Sequence, residues 1–275
     1  MLTYNPFMPG GSPSYKKPPL VEVVNGIVFQ PLAGLRIAHW GRLWEEFKAE
    51  FPKCEHAPPL ALDGLASVNP DDIASGFPFV PRLWFINGTE DRLLQFQANR
   101  FYYNWRQKPQ REIYPRFPEI YKGFEQLWKT FQGFSEREGL GKVLPKECEL
   151  SYINHIPKEH GWSSPSDIKN ILPDIAWNPR GRQFLSTPKS IAWQGTFDLP
   201  KDSGTLRVKI QEGLREPDKI PILVLELSAR GIGEDQSNEG IRKWFQVAHD
   251  HIVFGFAEIT NSDVQAKIWE RYDGN

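Results

Sequence analysis

The sequence predicts a mixed α+β protein: a ferredoxin-like β-α-β-β-α-β unit, then a three-stranded antiparallel meander and a long C-terminal helix. Two observations lead to this prediction. Apolar residues recur every three or four positions over residues 118–134 and 238–258, which is the period of an amphipathic helix. Elsewhere, short runs rich in valine and aromatic residues alternate with polar ones, which is the period of a strand.

The first predicted strand is the valine-rich segment Pro18–Leu32, and the first predicted helix ends at Pro52. A long proline-rich connection follows, Lys53–Pro81, with a short helix expected at Pro70–Ala74. Next comes a predicted hairpin, in which Asn87-Gly88 joins a strand at Arg82–Ile86 to a longer one at Arg92–Arg106.

The apolar alternation of that longer strand changes phase. We therefore expect a β-bulge near Asn99–Arg100, which would put two apolar sets on opposite faces. One set is Leu94, Phe96 and Ala98, and the other is Phe101, Tyr103 and Trp105.

A helix with Pro118 in its first turn and a strand at residues 147–156 complete the first unit. In the second half, three strands are predicted at residues 191–199, 205–210 and 220–229. The last predicted helix covers about Asn238–Glu258. The two halves share a pattern of strands and helices, but no repeat can be aligned.

We expect three segments. Residues 1–17, rich in Pro, Gly and Ser, are predicted to be a flexible tail, and residues 18–157 to be the ferredoxin-like unit. Residues 158–275 supply a connecting segment, the meander and the final helix, which we expect to pack on the first unit. The sequence leaves open whether the two halves form one continuous sheet or two packed units.

The amino-acid composition argues against several functional classes of protein. The 275 residues include 33 basic and 34 acidic ones, so the net charge of −1 gives no global signal for nucleic acid, although a local basic patch stays open. Two cysteines and no C-x-x-C pair argue against a disulfide scaffold and a standard zinc site. The chain lacks the apolar run of ~18 residues that spans a bilayer, and its first residues lack the apolar core of a secretory signal. We expect a cytoplasmic protein.

The candidate binding residues come from the stretch Arg92–Phe117, which is rich in arginine and aromatic residues. Such a mixture suits an anionic ligand or a single-stranded nucleic acid, because guanidinium groups pair with phosphate and rings stack on bases. The alternative is that the aromatic side chains form core and the arginines meet solvent. The proposed ligand-binding residues are Arg100, Asn104, Arg106, Tyr114 and Arg116.

Other polar motifs have simpler interpretations. His249-Asp250-His251 resembles the dipeptide of metal-dependent phosphohydrolases, but its helical position favours a packed or capping histidine. Cys148, His155 and His160 match no standard metal spacing, and Cys54 lies in a proline-rich segment without a nucleophile elbow. The Gly231–Gly240 loop is acidic and leads to a helix cap at Ser237 or Asn238. We predict no catalytic residue, no metal and no cofactor.

Three short motifs occur in an order that resembles a sporadically distributed family of uncharacterised bacterial proteins of about this length. The motifs are Pro18-Pro19-x-Val21-Glu22-Val23; Asn104-Trp105-Arg106 followed by Tyr114-Pro115; and His249-x-x-Ile252-x-x-x-Phe256-x-x-Ile259-Thr260. The resemblance covers about residue 18 to Trp269. It implies a bacterial, cytoplasmic protein, with an accessory gene in mobile or defence loci as a hypothesis about context. It implies no activity and no catalytic residue.

The leading functional hypothesis is a non-catalytic binding module for a partner protein or an anionic ligand. One alternative is a nucleic-acid-binding accessory protein, and another is a nucleotide or phosphoester hydrolase. The first follows from arginines among aromatic residues without a convincing nucleophile, acid–base pair or metal set.

Overall fold

The computed structural model describes residues 11–58, 82–97, 99–108, 114–177 and 184–273. The helix predicted at Pro70–Ala74 lies outside the described residues. Short 3-10 helices lie at Lys158–His160, Pro165–Asn170 and Pro200–Asp202. The other elements, in chain order, are β1 (Pro13–Tyr15), β2 (Leu20–Phe29), α1 (Ile37–Phe47), β3 (Lys53–Ala57), β4 (Arg82–Ile86), β5 (Arg92–Gln97), β6 (Arg100–Arg106), α2 (Phe117–Arg137), β7 (Pro145–Pro157), β8 (Ala192–Asp198), β9 (Thr205–Arg215), β10 (Ile220–Gly231), α3 (Asn238–Ile259), α4 (Ser262–Lys267) and β11 (Arg271–Asp273).

The protein is mixed α+β, as predicted, with much antiparallel sheet and few helices. It forms two compact units. The central unit is Val24–Glu149, and the terminal unit joins Met1–Val23 to Leu150–Asn275. Strands β2 and β7 each run from one unit into the other. The division predicted between residues 157 and 158 stays a prediction.

In the central unit the strand order is β3-β4-β5-β6-β2. Among the described residues, four strands lie between α1 and α2, where the sequence pattern predicted two. One of them, β3, comes from the segment predicted to be a connection. The other addition arises because the predicted strand Arg92–Arg106 is a hairpin of β5 and β6.

The predicted β-bulge is therefore wrong, because the chain reverses at this point. The hairpin pairs Phe96 with Phe101 and Leu94 with Tyr103. Residues directly opposite each other in an antiparallel pair lie on the same face of the sheet. Leu94 and Phe96 thus share one face with Phe101 and Tyr103, and the phase change in the sequence comes from a turn.

Helix α2 covers that apolar face. The Phe101 ring lies 5.3 Å from Trp128 and 5.5 Å from Phe131, centroid to centroid, and Phe29 lies 5.3 Å from Phe131. The predicted stripe of α2 is buried: Ile120, Phe124, Leu127, Phe131 and Phe134. Large aromatic side chains thus form the core of the central unit.

In the terminal unit the strand order is β7-β10-β9-β8, and β8, β9 and β10 pair antiparallel in sequence order. The apolar side of α3 is buried at Ile241, Trp244, Phe245, Ala248, Ile252 and Phe256. In both units the first long strand neighbours the last strand before the long helix, β2 beside β6 and β7 beside β10. The two sequence halves therefore share a meander whose last strand neighbours the first long strand.

Residues 13–15 differ from the expectation of a flexible tail. They form β1, which pairs antiparallel with β11. Tyr15 is buried, its hydroxyl donates to Gln265 Oε1 at 3.2 Å, and its ring meets Phe256 edge-on. Burial of this one aromatic ring gives the segment a fixed position. No helix in the described part of the chain is long and apolar enough to cross a membrane.

Candidate functional site

Strands β4, β5 and β6 carry a polar face opposite the face that α2 covers. Trp84 pairs with Gln95, and Gln95 pairs with Tyr102. Because side chains alternate along a strand, Asn104 and Arg106 lie on the same side as Tyr102. We call this surface, with Arg82 and Arg100, the polar face of the central unit.

Two guanidinium groups lie against one indole ring on this face. The Arg82 guanidinium is 5.2 Å from the centroid of Trp84, and that of Arg106 is 5.1 Å from it. Burial lowers the pKa of Arg82, and the positive charge of Arg106 lowers it further, while Tyr102 acts in the opposite direction. Arg82 Nε is buried and has no hydrogen-bond partner among the described residues. Two cationic groups therefore lie together on this face, while Glu55 occupies the strand position opposite Trp84.

Two buried amides beside this ring have fixed orientations. Trp84 Nε1 donates to Gln95 Oε1 at 2.9 Å, and Gln95 Nε2 donates to Asn104 Oδ1 at 2.6 Å. Since both amide oxygens accept within this chain of hydrogen bonds, the nitrogen of Asn104 is the donor end. Amide donors next to guanidinium donors make this face rich in N–H groups.

Arg100 belongs to a second set of hydrogen bonds. Its Nη1 donates to the hydroxyl of Tyr102 at 3.4 Å, and that hydroxyl donates to Glu149 Oε2 at 3.2 Å. The Tyr102 ring lies over Gly26, where a Cβ atom would stand 2.2 Å from Tyr102 Cδ1. Gly26 thus makes room for the ring, and a carboxylate balances the Arg100 side of the face.

The structure separates the five predicted ligand-binding residues. Arg100, Asn104 and Arg106 share the polar face, which is the predicted arrangement. Tyr114 lies elsewhere, with its ring 5.1 Å from the buried Trp105, and Arg116 stacks on Tyr114 at 5.6 Å. Trp105 belongs to the helix-covered side, so these two residues do not join the other three.

Sequence reasoning missed Arg82, Trp84 and Gln95. The signal was present in the predicted hairpin, because Asn87-Gly88 brings β4 against β5 and Trp84 alternates with the buried Leu83 and Phe85. A strand register from that turn would have placed Trp84 on the polar side.

His249 makes the contacts of a packed histidine. Its Nδ1 lies 3.0 Å from the hydroxyl of Tyr152, and burial lowers its pKa to about 4. His251 Nδ1 lies 2.8 Å from the carbonyl oxygen of Val247 within the same helix. Asp250, whose pKa burial raises, accepts from Gln246. The Tyr152 hydroxyl can donate to a neutral His249 that carries its proton on Nε2.

The remaining candidates are separate side chains. Burial raises the pKa of the Cys148 thiol and lowers the pKa values of His155 and His160, and Trp269 Nε1 donates to His160 Nδ1 at 3.2 Å. Within the described ranges, no three His, Cys, Asp or Glu side chains group so that they could hold a metal ion. Ser237 caps α3, because its side chain accepts from the amide of Gly240.

Comparisons with known proteins add little. No protein-family model matches the chain, and no curated protein does. Among solved structures, DynU16, a protein of the dynemicin biosynthetic locus, matches with 13% sequence identity and a TM-score of 0.25. The match covers 87% of this chain and 97% of DynU16. A similarity of this size carries no argument about fold or function.

Proposed function

We propose that the protein is a non-catalytic binding module that takes an anionic ligand at Arg82, Trp84 and Arg106. The observation that supports this most is the pair of guanidinium groups against one indole ring. Bringing two like charges together in a partly buried place costs free energy, and an anion between them would recover it.

The chemistry of the ligand follows from the donors. Guanidinium groups bind carboxylate and phosphate through two parallel hydrogen bonds. The Gln95–Asn104 pair adds two amide groups at a fixed orientation on the same face. An oxyanion with several acceptor oxygens therefore suits the face better than a halide.

Binding fits this face better than catalysis. The described polar groups around Trp84 are guanidinium, amide and phenol groups, with the Glu55 carboxylate on the strand position directly opposite Trp84. The guanidinium, amide and phenol groups do not exchange a proton readily near neutral pH, which a general acid or base must do.

A thermal-shift titration with inorganic phosphate at constant ionic strength tests the proposal. We expect phosphate to raise the melting temperature of the wild type, because a ligand that binds only the folded state stabilises it by about 2.7 kcal/mol at about 100 times its Kd. R82Q/R106Q should lose the effect, and R207Q, in the terminal unit, should keep it. Equal stabilisation of all three proteins would contradict the proposal.

Single-stranded nucleic acid is the second candidate ligand. An aromatic ring with flanking arginines is the arrangement on which bases stack while phosphates pair with cations. Binding of an oligothymidylate at two salt concentrations separates the two ideas, since phosphate-backbone contacts weaken steeply with salt. Phosphate binding without oligonucleotide binding would leave only the first.

Other expectations from the sequence remain proposals. They are a partner protein as the ligand, the hydrolase alternative, the likeness to a bacterial family and the cytoplasmic setting. The ferredoxin-like arrangement of residues 18–157 also stays a proposal, with β3 and the β5–β6 hairpin as additions to the predicted pattern.

A further inference from the structure

Strand β8 is an exposed edge of the sheet in the terminal unit. It pairs with β9 on one side and ends the strand order among the described residues. Five of its seven residues are exposed, and the Phe197 side chain is 48% exposed. Its sequence, Ala-Trp-Gln-Gly-Thr-Phe-Asp, has none of the lysines or prolines with which proteins commonly block such an edge.

The edge strand of the central unit is different. Strand β3 carries Lys53, Glu55 and His56 among its five residues. Lys53 also forms an ion pair with Glu90. Charged side chains discourage the addition of another strand. The same chain therefore blocks one edge and leaves the other able to pair.

The residues of β8 are arranged symmetrically about Gly195. Trp193 and Phe197 lie two positions away on one face, and Gln194 and Thr196 lie one position away on the other. Both rings lean over the glycine: a Cβ atom there would stand 2.8 Å from Trp193 Cη2 and 3.3 Å from Phe197 Cε2. Gly195 leaves space that the two aromatic rings fill.

We propose that β8 pairs antiparallel with β8 of a second copy of this chain, about a twofold axis at Gly195. In that register Trp193 faces Phe197 of the partner subunit, and Gln194 faces Thr196 of the partner subunit. Apolar side chains then meet apolar ones, polar side chains meet polar ones, and the open backbone groups of both edges are paired. A strand of unrelated sequence would not gain this match on both faces.

Sedimentation velocity over a concentration series tests this pairing. We expect the wild type to form a dimer as its concentration rises. Q194K/T196K sets lysines opposite each other across the axis and should raise the dimer dissociation constant at least tenfold, because like charges directly opposite repel. Q194K/T196E sets each lysine opposite a glutamate and should restore the dimer.

The matched control is Q126K/T130K, which makes the same two changes on helix α2 of the central unit and should leave the dimer intact. Circular dichroism melts establish that all variants are folded. A wild type that stays monomeric at every concentration would overturn the proposal. So would a dimer that Q194K/T196K does not weaken, or one that Q194K/T196E does not restore.

Discussion

Arginine lies on a polar strand face in both units, but its surroundings differ. In the terminal unit, Arg207 lies 3.6 Å from a carboxylate oxygen of Glu226, and both side chains are partly exposed. In the central unit, Arg82 and Arg106 lie against Trp84, and each adds to the positive field at the other. The same residue type on the same kind of strand face thus gives a solvated ion pair in one unit and a cationic cluster in the other.

The difference comes from the residues across the strands. Beside Arg207, the neighbouring strand offers a carboxylate. Beside Arg106, the contacts include the indole ring of Trp84, which is hydrogen-bonded to the Gln95 amide. An exposed ion pair contributes little to stability. Two arginines close together are instead stabilised by an anion that binds them, so we propose ligand binding in the central unit.

Replacement of Trp84 should give the largest effect on stability. W84A removes the half-buried ring, its hydrogen bond to Gln95 and the surface that both guanidinium groups contact. We expect urea denaturation to show a loss of about 2–3 kcal/mol. W84F keeps a ring and should lose only about 1 kcal/mol. R207Q, the reference variant in the terminal unit, should lose less stability than either. A loss as large as that of W84A would contradict the comparison between the two units.

Protonation of His249 in the terminal unit should make the protein less stable in acid. Its pKa is 6.5 when unperturbed and about 4 in the folded protein. As pH falls below 6.5, His249 becomes protonated in the unfolded chain, but in the folded chain it stays neutral until about pH 4. The free energy of unfolding therefore decreases across this window. Allowing for partial exposure of the side chain, the decrease is about 2 kcal/mol.

H249N keeps an acceptor for the Tyr152 hydroxyl and lacks the titrating group. Its stability between pH 6.5 and about 4 should therefore decline less than that of the wild type. Identical pH profiles for the two proteins would show that His249 is not desolvated in the folded state.

Asn25 tests the helix-covered side of the central unit. It is fully buried, and both its side-chain nitrogen and oxygen have no hydrogen-bond partner among the described residues. An unsatisfied buried amide destabilises a protein, so N25V should raise the free energy of unfolding by about 1 kcal/mol. A loss of stability would show that the amide is satisfied in solution.

The smallest effects should differ in sign between the two faces. In phosphate-free buffer, R82Q should not lower stability, because it removes a desolvated charge that Arg106 repels. R207Q should lower stability by about 0.5 kcal/mol, because it removes an exposed ion pair. Two losses of equal size in chemical denaturation would mean that both arginines sit in the same kind of environment.

Local patterns predicted part of this site and none of its long-range geometry. Alternation along β6 correctly put Arg100, Asn104 and Arg106 on one face, since the period of a strand is a property of neighbouring residues. It could not show that Arg82 and Arg106 would both lie against Trp84, because that depends on the register between strands.

The hairpin of β5 and β6 shows a second limit. A shift in apolar phase arises from a bulge or from a chain reversal, and the turn at Asn99 lacks the glycine that usually marks a tight hairpin. Tyr114 and Arg116 follow this hairpin, and no local period relates them to its faces. The helices were easier to predict, because the stripe of α2 continues without interruption from Ile120 to Phe134.

The most direct test of the anion site is an NMR titration with inorganic phosphate at constant ionic strength. The signals to follow are the Arg82 Nε–H and the Trp84 indole N–H, assigned with R82Q and W84F, and the Arg207 Nε–H as an internal reference. We predict that both central-unit signals shift and saturate together while the Arg207 signal stays in place. Unchanged Arg82 and Trp84 signals, or an equal shift at Arg207, would contradict the assignment of ligand binding to this face.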